Sequence, residues 1–219
     1  MSKGYFKLAL GMLYKIVLSE VTYDILQKYF AENYYKEYVI GYAYVYGLYL
    51  FFDFAGFSLM AVGTAYILGI KLPDNFNKPF LSVDIGDFWE RWHISLAHWM
   101  RDFLFSRLLK DFIRKKRFKS RLTAAQVALI INLTVMGAWH GFTVDYLIYG
   151  LYHGVLMAIH EAYAKKCKFY KKHKNEKWYK LCSWFVTMNL IMFGFLIFSG
   201  HAAEVWNWYI AIIKWHMGM

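Results

Sequence analysis

The sequence predicts an all-α protein that crosses a membrane several times. Hydrophobic residues make up 59% of the 219 residues, whereas soluble domains contain roughly 45–50%. The chain has only two prolines, and its apolar residues fall in long runs of the length that membrane-spanning helices need. Together these observations exclude an ordinary soluble domain and predict a polytopic helical membrane protein.

The basic residues are concentrated in two clusters, which explains the formal net charge of +11. Residues 101–121 contain nine Lys or Arg and residues 165–180 contain eight. Both clusters flank apolar runs, as is typical of cytoplasmic loops. Anionic lipid head groups attract each such charge by about 1 kcal/mol. The pattern therefore favours membrane lipids as partners and argues against nucleic acid, while an acidic carrier protein could use the same surface.

Two cysteines, Cys167 and Cys182, are the sulfur ligands that the chain could offer. Cys167 lies in a basic, cytoplasmic-type loop, where a disulfide is disfavoured. Without paired histidines nearby, the two cysteines do not form a convincing zinc site. We therefore expect no metal site and no disulfide.

The N-terminal part predicts one amphipathic helix followed by two helical pieces. Residues 3–31 are apolar but punctuated by charges, which suits a helix at the interface, one lining an interior, or one packed against spans outside this chain. Residues 38–70 carry a single charge, Asp53, and are too long for one ordinary span. We expect residues 51–57 to break this run. Asp53 is then a carboxylate at membrane depth, either a functional acid or, as we favour, a structural partner of an arginine.

Residues 71–86 hold both prolines and predict a loop. Asp87 and Glu90 then have the spacing of a capping box, with Asp87 as N-cap. The helix that follows is predicted over residues 89–103. This stretch is too polar to face lipid on all sides, so it should lie at the membrane surface or line a wet cavity.

Polar side chains recur at helical spacing along residues 89–103. The members of this stripe are Arg91, Ser95, His98 and Asp102, with Trp92, Leu96, Trp99 and Phe103 on a neighbouring face. Asp87 with Arg91, and His98 with Asp102, have the spacing of ion pairs within a helix. Each residue alone suits a structural role, but their density indicates a functional site.

Residues 122–142 and 146–164 predict two spans joined by a very short turn. Both outer ends carry the basic clusters, and an even number of crossings returns the chain to the same side of the membrane. His153 and His160 lie on one face of the second span, and we interpret them as packing or rim histidines. Residues 181–199 predict the last clear span.

The tail to residue 219 predicts an interfacial or short terminal helix. It contains Trp206, Trp208 and Trp215, and tryptophan is enriched where membrane meets water.

His140 is the candidate functional residue within the first of the two hairpin spans. Gly137 and Gly141 are four residues apart and form a smooth face where another helix can approach closely. An ionisable ring at such a contact is expensive in a bilayer, which makes it a functional-site hypothesis by default. The alternative is a histidine that bonds a carbonyl for packing alone.

Three segments resemble membrane-bound O-acyltransferases. They are residues 88–96 with the following Trp99, Arg101, Asp102 and Phe105, residues 139–141 (WHG), and residues 52–63 (FDFAGFSLMAVG). The resemblance covers about residues 5–200. Within the bacterial members, the chain is most similar to the branch that D-alanylates teichoic acid, with the alginate O-acetylation proteins as the nearest alternative.

The resemblance implies a fold of interfacial and re-entrant helices around a central cavity, as one integral membrane domain over residues 1–219. Family members are longer, with several spans before the matched region. The chain is therefore expected to be the C-terminal part of a longer protein. The branch also implies a multi-pass protein in the cell membrane of a Gram-positive bacterium.

The resemblance further implies acyl transfer from a cytoplasmic thioester to a hydroxyl reached from the outer side. The implied donor is D-alanine on the phosphopantetheine arm of a small acidic carrier protein in the cytoplasm, so no cofactor is bound directly. The implied final acceptor is teichoic acid. A small membrane peptide of the same system is expected to take part.

The resemblance implies catalytic roles for two histidines. His140 matches the invariant histidine of the family and is the implied general base, since a hydroxyl needs a base at neutral pH. His93 matches the second, supporting position, where it would orient the acyl group or polarise its carbonyl. Possible supporting residues are Trp139, Trp92, Arg91, Ser95, Asp102 and Asp53.

Three other functions stay open. An O-acetyltransferase of an alginate-type exopolysaccharide would use the same histidines. A transporter would also place histidines in spans, but it often contains internal repeats, which this sequence lacks. A non-enzymatic scaffold of the cell envelope would tolerate the loss of His140. The sequence contains no P-loop, no G-x-G-x-x-G and no G-x-S-x-G motif.

Overall fold

The computed structural model describes residues 2–31 and 39–201, with the single positions 203, 207, 210 and 214 beyond them. Every regular element in these ranges is a helix, which confirms the all-α prediction. The predicted terminal helix with Trp206, Trp208 and Trp215 lies outside the described residues.

The chain divides into two compact units. The first contains Met1–Asn75 and Phe195–Met219, and the second contains Phe76–Gly194. Each unit is described by itself. The single membrane domain over residues 1–219 stays a prediction.

The first unit begins with one nearly continuous helical rod. Helix α1 (Ser2–Met12) passes through a π-helical turn (Leu13–Leu18) into α2 (Ser19–Ala31), as the prediction for residues 3–31 required. Helix α3 (Val39–Ile67) follows and runs without interruption. The predicted break at residues 51–57 is therefore wrong.

Close backbone packing explains why α3 continues through its glycines. A Cβ atom on Gly56 would lie 2.6 Å from the backbone nitrogen of Lys15, and one on Gly11 would lie 2.7 Å from the carbonyl oxygen of Gly56. The two helices thus meet backbone to backbone, which only glycine permits. Helix α3 contains no proline, so no backbone N–H donor is removed from it. The close packing offsets the roughly 1 kcal/mol that a glycine costs within a helix.

Asp53 lies on α3 and forms an ion pair with Lys15. The side chains are 30% and 38% exposed, respectively. The expectation that an arginine pairs with Asp53 is wrong, because the basic side chain that contacts Asp53 is Lys15.

The second unit contains shorter helices followed by a long hairpin. A 3₁₀ turn (Pro79–Leu81) interrupts the predicted loop. The helices are α4 (Ile85–Trp89), α5 (Ile94–Met100), a π-helical turn (Arg101–Phe105), α6 (Ser106–Arg114), α7 (Arg121–His140), α8 (Val144–Lys166), α9 (Lys168–His173) and α10 (Lys177–Phe198), the last few residues of which belong to the first unit.

The helix predicted over residues 89–103 is broken, and its predicted cap is wrong. Asp84 caps α4 by accepting from the backbone nitrogen of Asp87 at 2.8 Å. Asp87 cannot act as the cap because its own carboxylate accepts from Arg91 Nε at 2.6 Å and from Val83 N at 3.1 Å. The helix ends at Trp89, and α5 starts only after His93. The predicted Asp87–Arg91 pair is confirmed.

The predicted hairpin is confirmed in α7 and α8. Only Gly141–Thr143 separates the two helices, and the Thr143 hydroxyl accepts from the Tyr146 backbone nitrogen at 3.5 Å. Gly137 packs directly against the Tyr146 carbonyl and lies within contact of the Gly150 backbone. The close helix contact predicted at Gly137 is therefore present.

His153 is fully buried in α8, with the rings of Trp89 at 5.3 Å and Tyr149 at 4.6 Å. His160 lies farther along α8, where Nε2 is 3.5 Å from a carboxylate oxygen of Asp84. Both positions agree with the interpretation as packing and rim histidines.

Among the described residues, three helices are long and apolar enough to cross a membrane, namely Gly41–Ile67, Arg121–His140 and Lys177–Phe198. They confirm the prediction of several spans. Helix α8 has a span's length but is not among them, so its crossing stays a prediction.

Candidate active site

Two histidines that are 47 positions apart in the sequence both contact one tryptophan. The ring centroids of His93 and Trp139 are 6.2 Å apart, and those of Trp139 and His140 are 5.0 Å apart. Both contacts are edge-to-face, an arrangement that aromatic rings prefer. The fold therefore brings His93, Trp139 and His140 together.

His140 ends α7 and faces the start of α8. Its ring lies 6.1 Å from that of Tyr146. A Cβ atom on Gly141 would come within 2.9 Å of the Tyr146 ring, so glycine lets the tyrosine close over this end of α7. Sequence reasoning missed Tyr146. The very short turn after His140 was the signal that the first turn of α8 would fold back toward it.

His93 occupies an unusual backbone conformation. Its φ of 48° and ψ of 48° fall in the left-handed region, which is uncommon for residues other than glycine. Such a conformation costs of order 1–3 kcal/mol and persists only where the surroundings enforce it. It separates α4 from α5, so His93 lies in a turn between two helices and not within the single helix predicted over residues 89–103.

The surroundings that hold this conformation are the two residues before His93. Trp92 is buried and packs against Phe76 at 5.0 Å and Phe88 at 5.6 Å. The carbonyl of Arg91 accepts from the backbone nitrogen of Asn77 at 3.0 Å. Trp92 and Arg91 therefore act on His93 through the backbone, as anchors of the turn.

His93 lies outside the spanning helices and is partly buried. Burial and the neighbouring His140 lower the pKa of His93 from 6.5 to about 4. Both causes disfavour the charged form. At neutral pH the imidazole is therefore uncharged, with one nitrogen as donor and the other as acceptor.

If the chain performs the acyl transfer that the resemblance implies, we expect His93→Ala to weaken it without abolishing it, by about tenfold to a hundredfold, as for loss of one polarising donor. His93→Gln should retain part of the activity because its amide can still donate. The wild type and His93→Gln should share one pH profile from pH 6 to 8, because a group with a pKa of about 4 does not titrate there. Initial rates in membrane vesicles at each pH would measure both the loss of activity and the pH profile. A His93→Ala protein with full activity would contradict the assignment.

The remaining predicted site residues lie apart from the ring cluster or make other contacts. Ser95 is exposed in the first turn of α5. Asp102 pairs with Arg101 at 3.3 Å, so the predicted His98–Asp102 pair is wrong. His98 instead approaches Glu90, with Nε2 3.4 Å from the carboxylate, because the break before His93 folds Glu90 back over α5.

A small cavity lies beside the turn and was not predicted. Its volume is about 120 Å³, and it is lined mainly by apolar side chains of the α4–α5 region and α7. Two buried polar atoms on its lining residues, Trp89 Nε1 and Asn132 Oδ1, have no hydrogen-bond partner among the described residues. Neither residue belonged to a polar stripe, so the sequence offered no signal for them.

Within residues 2–31 and 39–201, no group of three or more His, Cys, Asp or Glu side chains could hold a metal ion. The ring cluster offers two imidazoles, and an imidazole can take and return a proton.

Comparison with known proteins gives a family match. A model of the membrane-bound O-acyltransferase family matches residues 2–203. The teichoic acid D-alanyltransferase of Streptococcus thermophilus is 42% identical over 90% of this chain and 51% of its own length. That of Bacillus subtilis is 41% identical over 90% of this chain and 50% of its own length.

A more distant relative is the probable alginate O-acetylase of Pseudomonas aeruginosa, 32% identical over 75% of this chain and 29% of its own length. The chain spans about half the length of the D-alanyltransferases it matches.

Proposed function

Because the chain belongs to the membrane-bound O-acyltransferase family, we propose that it transfers D-alanine to teichoic acid hydroxyls in the cell membrane of a Gram-positive bacterium. The single observation that carries this proposal is that His93 and His140 both contact Trp139. The likeness to two teichoic acid D-alanyltransferases supports the choice of acyl group.

The chemistry assigned to His140 is general base catalysis. Its neutral imidazole accepts the proton of the attacking hydroxyl as the oxygen bonds to the thioester carbonyl carbon. The resulting oxyanion collapses, the carbon–sulfur bond breaks, and the imidazolium returns the proton to the departing thiolate. The products are an ester and the free thiol of the carrier.

His93 stabilises the charge that develops on the carbonyl oxygen. A neutral imidazole can donate one N–H to that oxygen, and a donor aimed at developing charge is worth several kcal/mol in a dry site. The left-handed turn and its Trp92 and Arg91 anchors keep the ring in place before the substrate arrives.

The donor in this proposal is D-alanine on the phosphopantetheine arm of an acidic carrier protein, and α6 with the following loop is its docking surface. All nine basic residues between 101 and 121 are exposed. Asp111 pairs with Arg114 at 3.1 Å and Lys115 at 2.9 Å, which leaves a large positive surplus. Such a field speeds the encounter with an acidic partner. A small membrane peptide of the same system completes the proposed partners.

Charge reversal on this surface should slow carrier binding. Lys110→Glu with Lys119→Glu should lower the association rate about tenfold at low salt, since steering by opposite charge raises such rates by 10-fold or more. The difference should vanish near 1 M salt, where the screening length is about 3 Å. Stopped-flow fluorescence with labelled carrier would measure it. Lys3→Glu with Lys28→Glu makes the same change in net charge and should leave the rate unaltered; equal slowing by both pairs would contradict the assignment of α6.

The function itself is tested by the D-alanine content of teichoic acid. A Gram-positive strain that lacks its own D-alanyltransferase is complemented with the gene that encodes this chain, and ester-linked D-alanine is released by mild base and quantified. Restored D-alanine is the expected result. Absence of D-alanine together with new O-acetyl esters on an envelope polysaccharide would instead favour the acetyl transfer of the alginate O-acetylase relatives.

A further inference from the structure

We propose that the cavity beside the His93 turn recognises the amino group of the transferred acyl unit, and so selects a small aminoacyl thioester over a simple acyl thioester. Asn132, Glu90 and Trp89 are the residues assigned to this recognition. The inference rests on the proposed function and deepens it, because it states how the site distinguishes D-alanyl from acetyl or propionyl groups.

The size of the cavity limits its occupant. At about 120 Å³ it has room for about four water molecules at roughly 30 Å³ each. This suits a group of the size of a small amino acid and excludes a long acyl chain. The walls are largely apolar, with Leu133, Met136 and Met157 among them, and they suit the methyl group of an alanyl unit.

The unpartnered polar atoms specify what the occupant must offer. Asn132 and Trp89 are only 7% and 8% exposed, yet Asn132 Oδ1 and Trp89 Nε1 have no hydrogen-bond partner among the described residues. A buried polar group left unpaired costs about 1–3 kcal/mol. A ligand that donates to the asparagine oxygen and accepts from the indole N–H removes both costs. An aminoacyl group has such a pair, an ammonium and a carbonyl.

The mouth of the cavity carries a carboxylate, Glu90, that can meet an ammonium group. Glu90 and Arg101 both line it, and their side chains approach to 3.3 Å. Arg101 is shared with Asp102, also at 3.3 Å. Asp102 is not a lining residue, so Glu90 is the carboxylate at the mouth, and His98, which also lines the cavity, lies 3.4 Å from it. A neutral propionyl or acetyl group gains nothing from that charge, whereas an ammonium does.

The cavity lies within reach of the proposed chemistry. Met136 on its wall is one helical turn before His140 in α7. Trp89 and Glu90 directly precede the turn that carries His93. The cavity therefore borders both segments that carry the two imidazoles.

The test compares two donors that differ only in the amino group. Carrier protein is loaded with D-alanyl- or propionyl-phosphopantetheine from the corresponding coenzyme A thioesters, and transfer to teichoic acid is followed in membrane vesicles that contain the protein. The wild type should prefer D-alanyl. Asn132→Leu, which keeps the shape but removes the acceptor, should lower the ratio of D-alanyl to propionyl transfer by at least about tenfold, the worth of a hydrogen bond to a charged group.

Further variants keep the test decisive if Asn132→Leu accumulates poorly. Glu90→Gln alters an exposed side chain and should lower the same ratio about threefold, as expected for a partly screened charge. Asn189→Leu makes the matched substitution on α10, where the asparagine amide bonds a carbonyl of its own helix, and should leave the ratio unchanged.

Three results would overturn the inference. They are equal transfer of both donors by the wild type, an unchanged ratio in both Asn132→Leu and Glu90→Gln, and an equal fall for both donors that preserves the ratio. A wild-type protein that transfers neither donor overturns the proposed function as well, so the two failures are distinguishable.

Discussion

His140→Ala is expected to reduce the D-alanine content of teichoic acid to below about 1% of the wild-type level, with unchanged protein in the membrane. A positioned general base contributes typically 10²–10⁴-fold to a rate, and an alanine at the end of α7 offers no proton acceptor. The assay is the complemented deletion strain, with ester-linked D-alanine normalised to protein amount. Unchanged D-alanine would remove His140 from the mechanism and favour a scaffold.

The control for this result is a histidine with a purely structural contact. His173 lies in α9 and bonds the Glu176 carboxylate at 2.8 Å. His173→Ala removes the same side chain from the same protein, and we expect it to keep D-alanine at the wild-type level. If His140→Ala and His173→Ala lose activity equally, the loss reflects general damage and not chemistry at one ring.

The long-range pairing of His93 with His140 could be predicted only through the family resemblance. Hydrophobic periodicity placed each histidine on a helix, but no local pattern predicts that two residues 47 positions apart both contact Trp139. The hairpin of α7 and α8 was different. Its apolar runs, its short turn and the face formed by Gly137 and Gly141 are all local signals, and they predicted both helices and a close helix contact.

The errors arose where tertiary contacts overrode local preference. Asp87 and Glu90 had the spacing of a capping box, but Asp87 bonds Arg91 and Asp84 takes over the cap. The Gly56 region suggested a break in α3, yet that glycine is the contact surface for the helix beside it. In both cases the same residue type suits two structures, and only the packing partner decides between them.

Gly137→Leu should prevent α7 and α8 from packing and remove most of the folded protein. A Cβ atom at Gly137 meets the Tyr146 carbonyl oxygen and lies 3.0 Å from the Gly150 Cα. The obstructing atoms are backbone, so no side-chain rotation relieves the contact. Overpacking costs typically about 1–3 kcal/mol where side chains can adjust, and we expect a larger loss here. Fluorescence-detected gel filtration and a thermal melt in detergent would show aggregation or a Tm lowered by several degrees.

The matched control is Val135→Leu, which enlarges a side chain on the same helix at a position that is 42% exposed. It should leave the melting temperature within error of the wild type. A Gly137→Leu protein that melts like Val135→Leu would mean that the two helices do not meet in the membrane. His140 lies only three residues from Gly137. Comparing the two substitutions therefore distinguishes loss of helix packing from loss of catalysis. Gly137→Leu should lose the fold and therefore the activity, whereas His140→Ala should lose the activity alone.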